Sequence, residues 1–513
     1  MFSLLFGQVA LGFILLRFLA WPLYAYQRDR KRLRRFPSVS CAGITDAWGV
    51  LHQYLHTRTR AVHEAHRRHG AVVRVGTEHL SFASLQAIRD IYGHGTPTTK
   101  DNFYRAFVST HLNISDAQDK AVHSVKRRRF AAALAQKSIV QLEDAVGSHL
   151  KRLVRVLDRK AGEEVDMKRV LLHLMYDVIS TMMYAQDPNF LESGSTVTTA
   201  EAPSGRLYKT DMYQSMIDSA RVATSAGWAP RATRLVRFLT QWHPGWASGD
   251  GLRDVTIHFV RNRLRMDMQR IEQGLPPLDD LMSTMFFDRD GNALGLELGE
   301  LVTEAQNMFN AAGENTEIAA TNVVWLLART PRAAARLREE LDGAFDRLAA
   351  PIPRYDDVKD LPYLRACIDE ALRLRPSIEG GLPRLVPPEG MRVDGMWLEG
   401  GTTVSVSTHT VHRDSTIFHE DPDEYVPERW LRDDANAMQR GFLAFSQGGR
   451  ACIGRNIAYF EMALVVALLF SRYDFVLRSP GWELGIDENF SAHTKPFPVK
   501  VLRRDGSTAQ STN

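Results

Sequence analysis

The chain has 513 residues and a formal net charge of +4. Residues 28–35 carry six bases and one acid, so the rest of the chain sums to 4 − 5 = −1, which argues against nucleic-acid binding. The three cysteines, Cys41, Cys367 and Cys452, are too few and too scattered for a disulfide framework and indicate a reducing compartment.

The N-terminal segment is largely apolar over residues 2–26 and is followed by the basic stretch. About 20 apolar residues suffice to cross a bilayer. Positive charge after the apolar run, with no small-residue cleavage site, predicts a membrane anchor over 1–27 rather than a removed signal peptide. By the positive-inside rule the bulk of the chain faces the cytosol. Because Arg17 and Pro22 interrupt the run, an interfacial helix is the alternative.

After a basic linker over 28–40, no Pro-, Ser- or Gly-rich boundary divides the chain, so we predict one large domain over 41–504. Apolar spacing of 3.6 residues predicts helices around 46–67, 116–136, 138–160, 167–184, 297–329, 332–348 and 362–375. Runs of β-branched residues predict strands at 72–75, 80–82, 402–406 and 498–502. Small polar residues predict an exposed loop over 191–206, and we expect a disordered tail over 505–513. The predicted fold class is mainly α with a small β region.

The predicted helix over 297–329 contains Ala312, Gly313 and Thr316. A glycine inside a helix weakens it and suggests a packing or functional reason. Gly313 would let the helix open locally, and the Thr316 hydroxyl could bond the carbonyl of residue 312. An ordinary helix with a tolerated glycine is the alternative interpretation.

Further along, Glu370 and Arg373 stand three residues apart on one helical face, and Pro376 ends that helix. Arg429 follows in Pro-Glu-Arg. A single Glu-x-x-Arg pair is usually a solvated helix face, as is an exposed run of charge such as Lys126–Arg129.

The most specific pattern is Phe-x-x-Gly-x-Arg-x-Cys-x-Gly, matched by Phe445, Gly448, Arg450, Cys452 and Gly454. A helix-forming apolar run follows, so the cysteine lies at a helix N-terminus, where N–H groups and the helix dipole stabilise a thiolate. The two glycines would permit a sharp turn or a close backbone approach. A buried structural cysteine beside a Gly-rich turn is the alternative.

With these residues the chain resembles the cytochromes P450, over about residues 40–503. The resemblance implies their triangular helical fold and a haem b whose iron is bound by the Cys452 thiolate, a ligand that favours O–O cleavage. It implies an oxygen pocket of Ala312, Gly313 and Thr316, with Thr316 passing protons. Asn315 and Glu317 depart from the family pattern, where an acid and a Thr or Ser are usual. The residues implied to hold or support the haem are Cys452, Phe445, Gly448, Arg450, Gly454, Arg384, His123, Arg127, Glu370, Arg373 and Arg429.

Three of these implied roles are specific. Phe445 would shield the sulfur, the three arginines Arg127, Arg384 and Arg450 would meet the haem propionates, and the Glu370 cluster would support the cysteine loop. At position 123 the family more often has Trp, and His123 could still donate a hydrogen bond. The pocket above the haem is predicted to be apolar. Its expected lining residues are Phe103, Phe107, Met308, Phe309, Ala312, Ile378, Leu382 and Phe490.

The resemblance implies a monooxygenase anchored in the endoplasmic reticulum membrane, using O₂ and electrons from NADPH. Because no dinucleotide- or flavin-binding fingerprint is present, the electrons would come from a separate NADPH-cytochrome P450 reductase, with Lys126–Arg129 as a possible docking segment. Stretches 99–108, 381–388 and 412–430 also resemble fungal benzoate 4-hydroxylases. We expect hydroxylation of an apolar or aromatic small molecule in fungal natural-product metabolism. The alternatives are oxidative phenol coupling or desaturation by the same haem, and a non-catalytic haem-binding protein.

Overall fold

The computed structural model describes residues 20–286, 294–345, 352–419 and 421–504. Residues 1–19 of the predicted anchor and the predicted tail over 505–513 lie outside the described residues. Within the described ranges, no helix is both long enough and apolar enough to span a membrane.

Helices dominate the described chain. Those of eight or more residues are α1 (Trp21–Arg28), α2 (Ala47–Tyr54), α3 (Arg58–His69), α4 (Leu85–Tyr92), α5 (Lys120–Ala131), α6 (Glu143–Arg159), α7 (Met167–Tyr184), α8 (Met212–Gly227), α9 (Pro244–Glu272), α10 (Leu298–Arg329), α11 (Pro331–Ala344), α12 (Pro362–Leu374) and α13 (Arg455–Arg472). Shorter helices are Gln136–Val140, Phe190–Ser193, Thr233–Leu239, Ser283–Phe286, Tyr355–Val358, Thr408–Val411, Ser415–Phe418 and Ala435–Met438, with 3-10 turns at Leu33–Arg35, Ser40–Gly43, Asn102–Ala106, Pro427–Leu431 and Gly448–Arg450.

The strands form small sheets at the margin of the helices. They are β1 (Val72–Arg74), β2 (His79–Phe82), β3 (Thr99–Lys100), β4 (Glu164–Asp166), β5 (Val197–Glu201), β6 (Leu207–Asp211), β7 (Arg384–Leu385), β8 (Met391–Val393), β9 (Met396–Leu398), β10 (Thr403–Val406), β11 (Tyr473–Leu477), β12 (Ile486–Glu488), β13 (Ala492–Thr494) and β14 (Pro498–Arg503). The largest sheet has the order β1-β2-β10-β7-β3, in which β10 runs parallel to β2 and the other pairs are antiparallel. A second sheet has the order β11-β14-β4, and the remaining strands form antiparallel pairs. The predicted class, mainly α with a small β region, is confirmed.

The predicted loop over 191–206 is wrong. Its first residues form the short helix Phe190–Ser193, and Val197–Glu201 pairs with Leu207–Asp211 in an antiparallel hairpin. The β-branched Val-Thr-Thr within a small polar stretch favours this pairing. The predicted helix over 46–67 is divided into α2 and α3, because His56 between them has a φ of +57°.

The segment predicted as a basic linker packs against the largest sheet. Leu33 and Phe36 are buried in a core that includes residues of β2 and β10. Lys31 donates to the carbonyl of Gly401 at 2.6 Å, and Arg35 to the carbonyl of Trp397 at 2.6 Å. Its bases therefore hold the chain against the sheet.

The main core surrounds α10 and α13. Helix α10 packs against α7, α9, α12 and α13. Side chains from Tyr459 to Ser471 of α13 are buried without interruption, because this helix lies inside the helical layers. These contacts bring the middle of α10 beside the segment that follows Cys452.

Candidate active site

The cysteine loop is a tight turn that ends at the start of α13. The Cys452 N–H donates to the carbonyl of Phe445 at 2.8 Å. Gly448 has a φ of +70°, and a Cβ there would lie 1.9 Å from the carbonyl oxygen of Tyr92. Only glycine fits this position, as the sequence predicts for a sharp turn. At Gly454 a Cβ would meet only ordinary contacts, at 3.6 Å or more.

The Cys452 thiol is accessible although it lies among closely packed residues. Cys452 as a whole residue is exposed to solvent. The protein atoms that surround its sulfur nevertheless raise the pKa of the thiol, because they disfavour the charged form. The Gly454 N–H, which bonds the sulfur, and the charges of Arg127 and Arg455 act in the opposite direction. An accessible thiol supported by an N–H donor and two cations is suited to bind a metal as the thiolate.

Cations gather around this loop. Arg127 donates to the carbonyl of Ala451 at 2.8 Å, Arg450 to that of Ala117 at 2.6 Å, and Arg384 to the hydroxyl of Tyr104 at 3.1 Å. All three of these acceptors are uncharged.

The same cations act on each other and on their neighbours. Burial and then the charge of Arg384 lower the pKa of Arg450 to about 10. Burial and then the charges of Arg450, Lys100 and Arg127 lower the pKa of His123 to about 3, so its imidazole is neutral. A partly buried group of cations with uncharged partners favours an anionic ligand. The carboxylates of a haem fit it.

Glu370, Arg373 and Arg429 form the buried cluster that the sequence predicts. Arg373 donates to Glu370 through Nε and Nη2, each at 2.8 Å, and Arg429 donates through Nε at 2.9 Å. Both Glu370 and Arg373 are 0% exposed. Arg373 also donates to the carbonyls of His412, Pro422 and Glu424, at 2.6, 2.5 and 3.0 Å.

Two further residues of this cluster were not identified from the sequence. Trp430 donates through Nε1 to Glu370 at 2.9 Å. His412 contacts the carbonyl of Arg373 through Nδ1 at 2.7 Å and accepts from the Leu443 N–H through Nε2 at 2.8 Å. Since Leu443 is two residues before Phe445, His412 connects the cluster to the cysteine loop. Burial lowers the pKa of His412 to about 3, which keeps the imidazole neutral and able to accept.

Gly313 has a packing role in this structure. Helix α10 continues through it, and a Cβ there would lie 2.7 Å from Cε1 of Tyr176 on α7. The predicted local opening of the helix is therefore wrong for this structure, and glycine is required because the two helices approach closely.

Thr316 is buried and faces Glu461 on α13. Burial raises the pKa of the Glu461 carboxyl to about 8, and hydrogen bonding by the Thr316 hydroxyl opposes the shift. The sequence suggested the carbonyl of residue 312 as the partner of this hydroxyl. A lone acid within the apolar run of α13 was the sequence signal for Glu461.

Asn315 and Glu317, the two residues of α10 that depart from the family pattern, lie in different surroundings. Asn315 donates to the carbonyl of Ala311 at 3.1 Å and accepts from the Ser491 hydroxyl at 3.2 Å. Glu317 is fully buried and accepts from Thr321 at 2.9 Å, and burial raises the pKa of its carboxyl to about 7. Glu317 therefore does not place a carboxyl group where the family usually has an acid and this chain has Asn315.

The predicted pocket residues fall into three sets. Phe103, Phe107 and Phe490 contact one another, with ring centroids 5.3 to 6.2 Å apart. Phe309, by contrast, is fully buried between Tyr176 and Phe259, at 5.1 and 5.9 Å, and packs in the main core away from these rings. The remaining predicted residues are each partly exposed, namely Met308, Ala312, Ile378 and Leu382.

The basic segment Lys126–Arg129 is not a freely exposed face. Lys126 is buried and pairs with Glu300 at 3.0 Å and Glu304 at 2.7 Å, and Arg129 pairs with Glu300 at 3.2 Å. Of its four residues, Arg128 alone is exposed. The run is therefore not one solvated face, because Lys126 and Arg129 hold α5 against α10, and docking of a partner by this segment stays a prediction.

Replacing Glu461 with glutamine should change how stability depends on pH. The unfolded chain releases this proton near 4.5 and the folded chain keeps it until about 8, so the wild-type contribution to stability falls as pH rises through that interval. We therefore expect the melting temperature of Glu461→Gln to rise relative to wild type from about pH 5 to about pH 8. Thermal unfolding at several pH values measures this difference, and a difference independent of pH would contradict the assignment.

Comparison with known proteins gives a consistent result. The family model for cytochrome P450 matches residues 46–501. Benzoate 4-monooxygenase bphA of Aspergillus niger is 27% identical over 94% of this chain and 95% of its own. Cytochrome P450 monooxygenase atr2 of Stereocaulon alpinum is 31% identical over 85% of this chain and 84% of its own. Pisatin demethylase of Fusarium vanettenii is 27% identical over 89% and 86%.

Proposed function

Because the chain belongs to the cytochrome P450 family of monooxygenases, we propose that it hydroxylates an apolar or aromatic small molecule in fungal natural-product metabolism. The observation that carries this proposal is the accessible Cys452 thiol at the start of α13, surrounded by cations with uncharged partners. The relative that is named for benzoate, an aromatic acid, supports the aromatic substrate class.

The haem of this family would be held by residues that are far apart along the chain and come together in the fold. Cys452 would bind the iron, and Arg127, Arg384 and Arg450 would face the haem carboxylates, with neutral His123 as an additional donor. When bound, a thiolate-ligated haem, here proposed to be haem b, supplies dioxygen reduction and oxygen transfer. Phe445 would shield the sulfur, and the Glu370 cluster, acting through His412, would hold the loop in place.

Proton delivery is proposed to use the Thr316 hydroxyl. Glu461 lies against it and is largely protonated at neutral pH, so a carboxyl proton is available next to a hydroxyl that can donate and accept. Asn315 can orient a substrate or a water molecule beside it, but an amide does not supply a proton by ionising.

Electrons and membrane attachment would involve two surfaces. Exposed Arg440 and Arg455 flank a surface cavity of about 330 Å³ beside Phe445, which suits an acidic reductase. We propose attachment through the predicted anchor over 1–27. Exposed apolar residues near Thr233–Leu239, where Phe238 and Trp242 are 65% and 76% exposed, support a second contact with the membrane. We propose a single catalytic domain over 41–504 facing the cytosol from the endoplasmic reticulum membrane.

Product analysis under ¹⁸O₂ tests the function. The chain would be co-expressed with a fungal NADPH-cytochrome P450 reductase and supplied with benzoic acids and phenolic polyketides. We expect products that contain one labelled oxygen atom, read by mass spectrometry. Dimers or dehydrogenated products without label would instead support oxidative coupling or desaturation, a possibility kept open by Asn315 and Glu317. Protein that binds haem but gives no product from any of these substrates would contradict the proposal.

A further inference from the structure

A cavity of about 280 Å³ lies between α2, α3, the β1–β2 turn and the residues that follow α8. Its walls combine aromatic rings with charged side chains. Among the lining residues are Lys31, Arg58, Phe103, Trp228, Arg231 and Thr403. This volume is close to the lower limit for small-molecule sites, roughly 300 Å³.

Arg58 is the unusual member of this wall. It is only 3% exposed, and its Nε atom has no hydrogen-bond partner among the described residues. Its guanidinium carbon lies 3.4 Å from the ring centroid of Trp228, so the cation is stacked on the indole. Burial lowers the pKa of Arg58 to about 10, and the charge of the nearby Glu488 carboxylate only partly opposes this shift. That carboxylate is hydrogen-bonded instead by Thr59, whose N–H donates to it at 2.8 Å.

The ring under Arg58 is fixed in place. Trp228 donates through Nε1 to Gln53 at 2.8 Å, and His79 stacks on it with centroids 5.6 Å apart. Burial, followed by the charge of Arg58, lowers the pKa of His79, so the neutral imidazole adds no competing charge. The guanidinium is therefore held in a defined position on a rigid apolar surface.

The acids that line the cavity already have other partners. Glu78 pairs with Lys31 and with Arg231. Asp46 accepts from the N–H and the hydroxyl of Thr77, both at 2.8 Å.

Asp101, the third acid of the cavity wall, is also hydrogen-bonded to other protein groups. It accepts from the Phe103 N–H at 2.7 Å and from the Thr403 hydroxyl at 2.8 Å. The guanidinium of Arg58 is thus left facing the cavity without a carboxylate bonded to it in the described part of the chain. A buried cation in this state favours an anionic ligand.

Aromatic rings connect this cavity to the proposed substrate pocket. Trp228 and Phe103 have ring centroids 4.4 Å apart, and Phe103 contacts Phe107 at 5.4 Å and Phe490 at 6.2 Å. Phe103 therefore belongs both to the wall of this cavity and to the aromatic cluster that is predicted to line the substrate pocket.

We propose that this cavity recognises the carboxylate of a small aromatic acid, with Arg58 binding the carboxylate and Trp228 and Phe103 contacting the ring. A guanidinium offers paired N–H donors that match a planar carboxylate. The identification of this acid as the substrate rests on the proposed function, whereas its binding does not. Arg58 is then a specificity-determining residue of this chain.

The test compares two probes of equal shape, 2-naphthoate and 2-naphthamide, by isothermal titration calorimetry on the haem-loaded protein. We expect wild type to bind the acid more tightly than the amide, by about 10- to 100-fold. Arg58→Gln should remove this preference, chiefly by weakening the binding of the acid. Arg60→Gln, which removes an exposed arginine from the same helix, is the matched control and should behave as wild type.

Two further variants keep the test decisive if Arg58→Gln does not fold. Arg58→Lys keeps the charge but not the paired donors, and should retain part of the preference. Trp228→Leu should weaken both probes alike. Equal affinity of wild type for the two probes, or an unchanged preference in Arg58→Gln or Arg58→Lys, would overturn the proposal.

The ¹⁸O₂ assay separates this inference from the proposed function. Binding of 2-naphthoate that depends on Arg58, together with no labelled product from any supplied compound, would support the site and contradict the function. Labelled products from acids and amides at equal rates in wild type and Arg58→Gln would support the function and overturn Arg58 as a specificity-determining residue.

Discussion

Glu370→Ala is expected to yield protein that does not retain haem. The Glu370 carboxylate accepts five hydrogen bonds, from Arg373 Nε and Nη2, Arg429 Nε, Trp430 Nε1 and the Val426 N–H, all between 2.8 and 3.0 Å. Removing it leaves two guanidinium groups buried without their counter-ion, which costs about 3–5 kcal/mol. That is a large part of the roughly 5–15 kcal/mol by which a typical domain is stable.

The loss of Glu370 should disturb the haem site through a series of hydrogen bonds. Arg373 positions the segment from His412 to Glu424 through its carbonyls, and His412 bonds the N–H of Leu443. When the cluster loses its central acid, these contacts lose their support, and the loop that carries Cys452 is no longer held in place.

Haem content per protein, measured by absorbance, and the melting temperature test this expectation. Glu389→Ala, which removes an exposed glutamate, is the control and should retain haem at the wild-type level. Glu370→Ala with full haem content and an unchanged melting temperature would show that the cluster does not support the cysteine loop.

Sequence predicted the parts of the site whose spacing along the chain is short or specific. The five fixed positions of the cysteine loop and the Glu370–Arg373 pair are of this kind. Their partners could not be predicted, because the carbonyls bonded by Arg373 belong to a loop some 40 to 50 residues further along the chain. Trp430 and His412 were missed for the same reason.

Helices were predicted correctly where most of their side chains are buried, because burial produces a clear pattern of apolar residues along the sequence. Helix α7 spans Met167–Tyr184, the predicted range, because nearly all of its side chains are buried. Helix α9, which spans Pro244–Glu272, was not predicted, since its buried positions include Asp254, Thr256 and Arg263 and its apolar period is weak. Tertiary contacts, such as the close ion pair of Arg263 with Asp280, make these polar positions suitable for the interior.

The roles of single charged residues depended most on the folded structure. Nothing in its neighbours along the chain distinguishes Arg58 from the exposed Arg60, yet one is stacked on Trp228 and the other lies at the surface. Lys126 looked like part of an exposed run and is a buried partner of two glutamates. The partners of Arg58 and Lys126 lie 170 to 180 positions further along the chain, and sequence spacing does not reveal such contacts.

Cys452→Ser is expected to abolish monooxygenase activity while leaving the fold intact. Cys452 is an exposed residue, serine is close to it in size, and the turn around it is fixed by the backbone bond from its N–H to Phe445 and by Gly448. A serine hydroxyl, with a pKa far above that of a thiol, does not supply the anionic sulfur ligand that this haem chemistry requires.

The carbon monoxide difference spectrum of the reduced protein distinguishes the two forms. Wild type should show the spectrum of a thiolate-ligated haem, and Cys452→Ser should lose it together with all labelled product under ¹⁸O₂. Cys41→Ser, which changes an exposed cysteine far from the loop, is the matched control and should keep both. Retention of the thiolate spectrum in Cys452→Ser would mean that another residue binds the iron. Since Cys367 is fully buried and burial raises the pKa of its thiol well above the ordinary range, such a result would contradict the site as a whole.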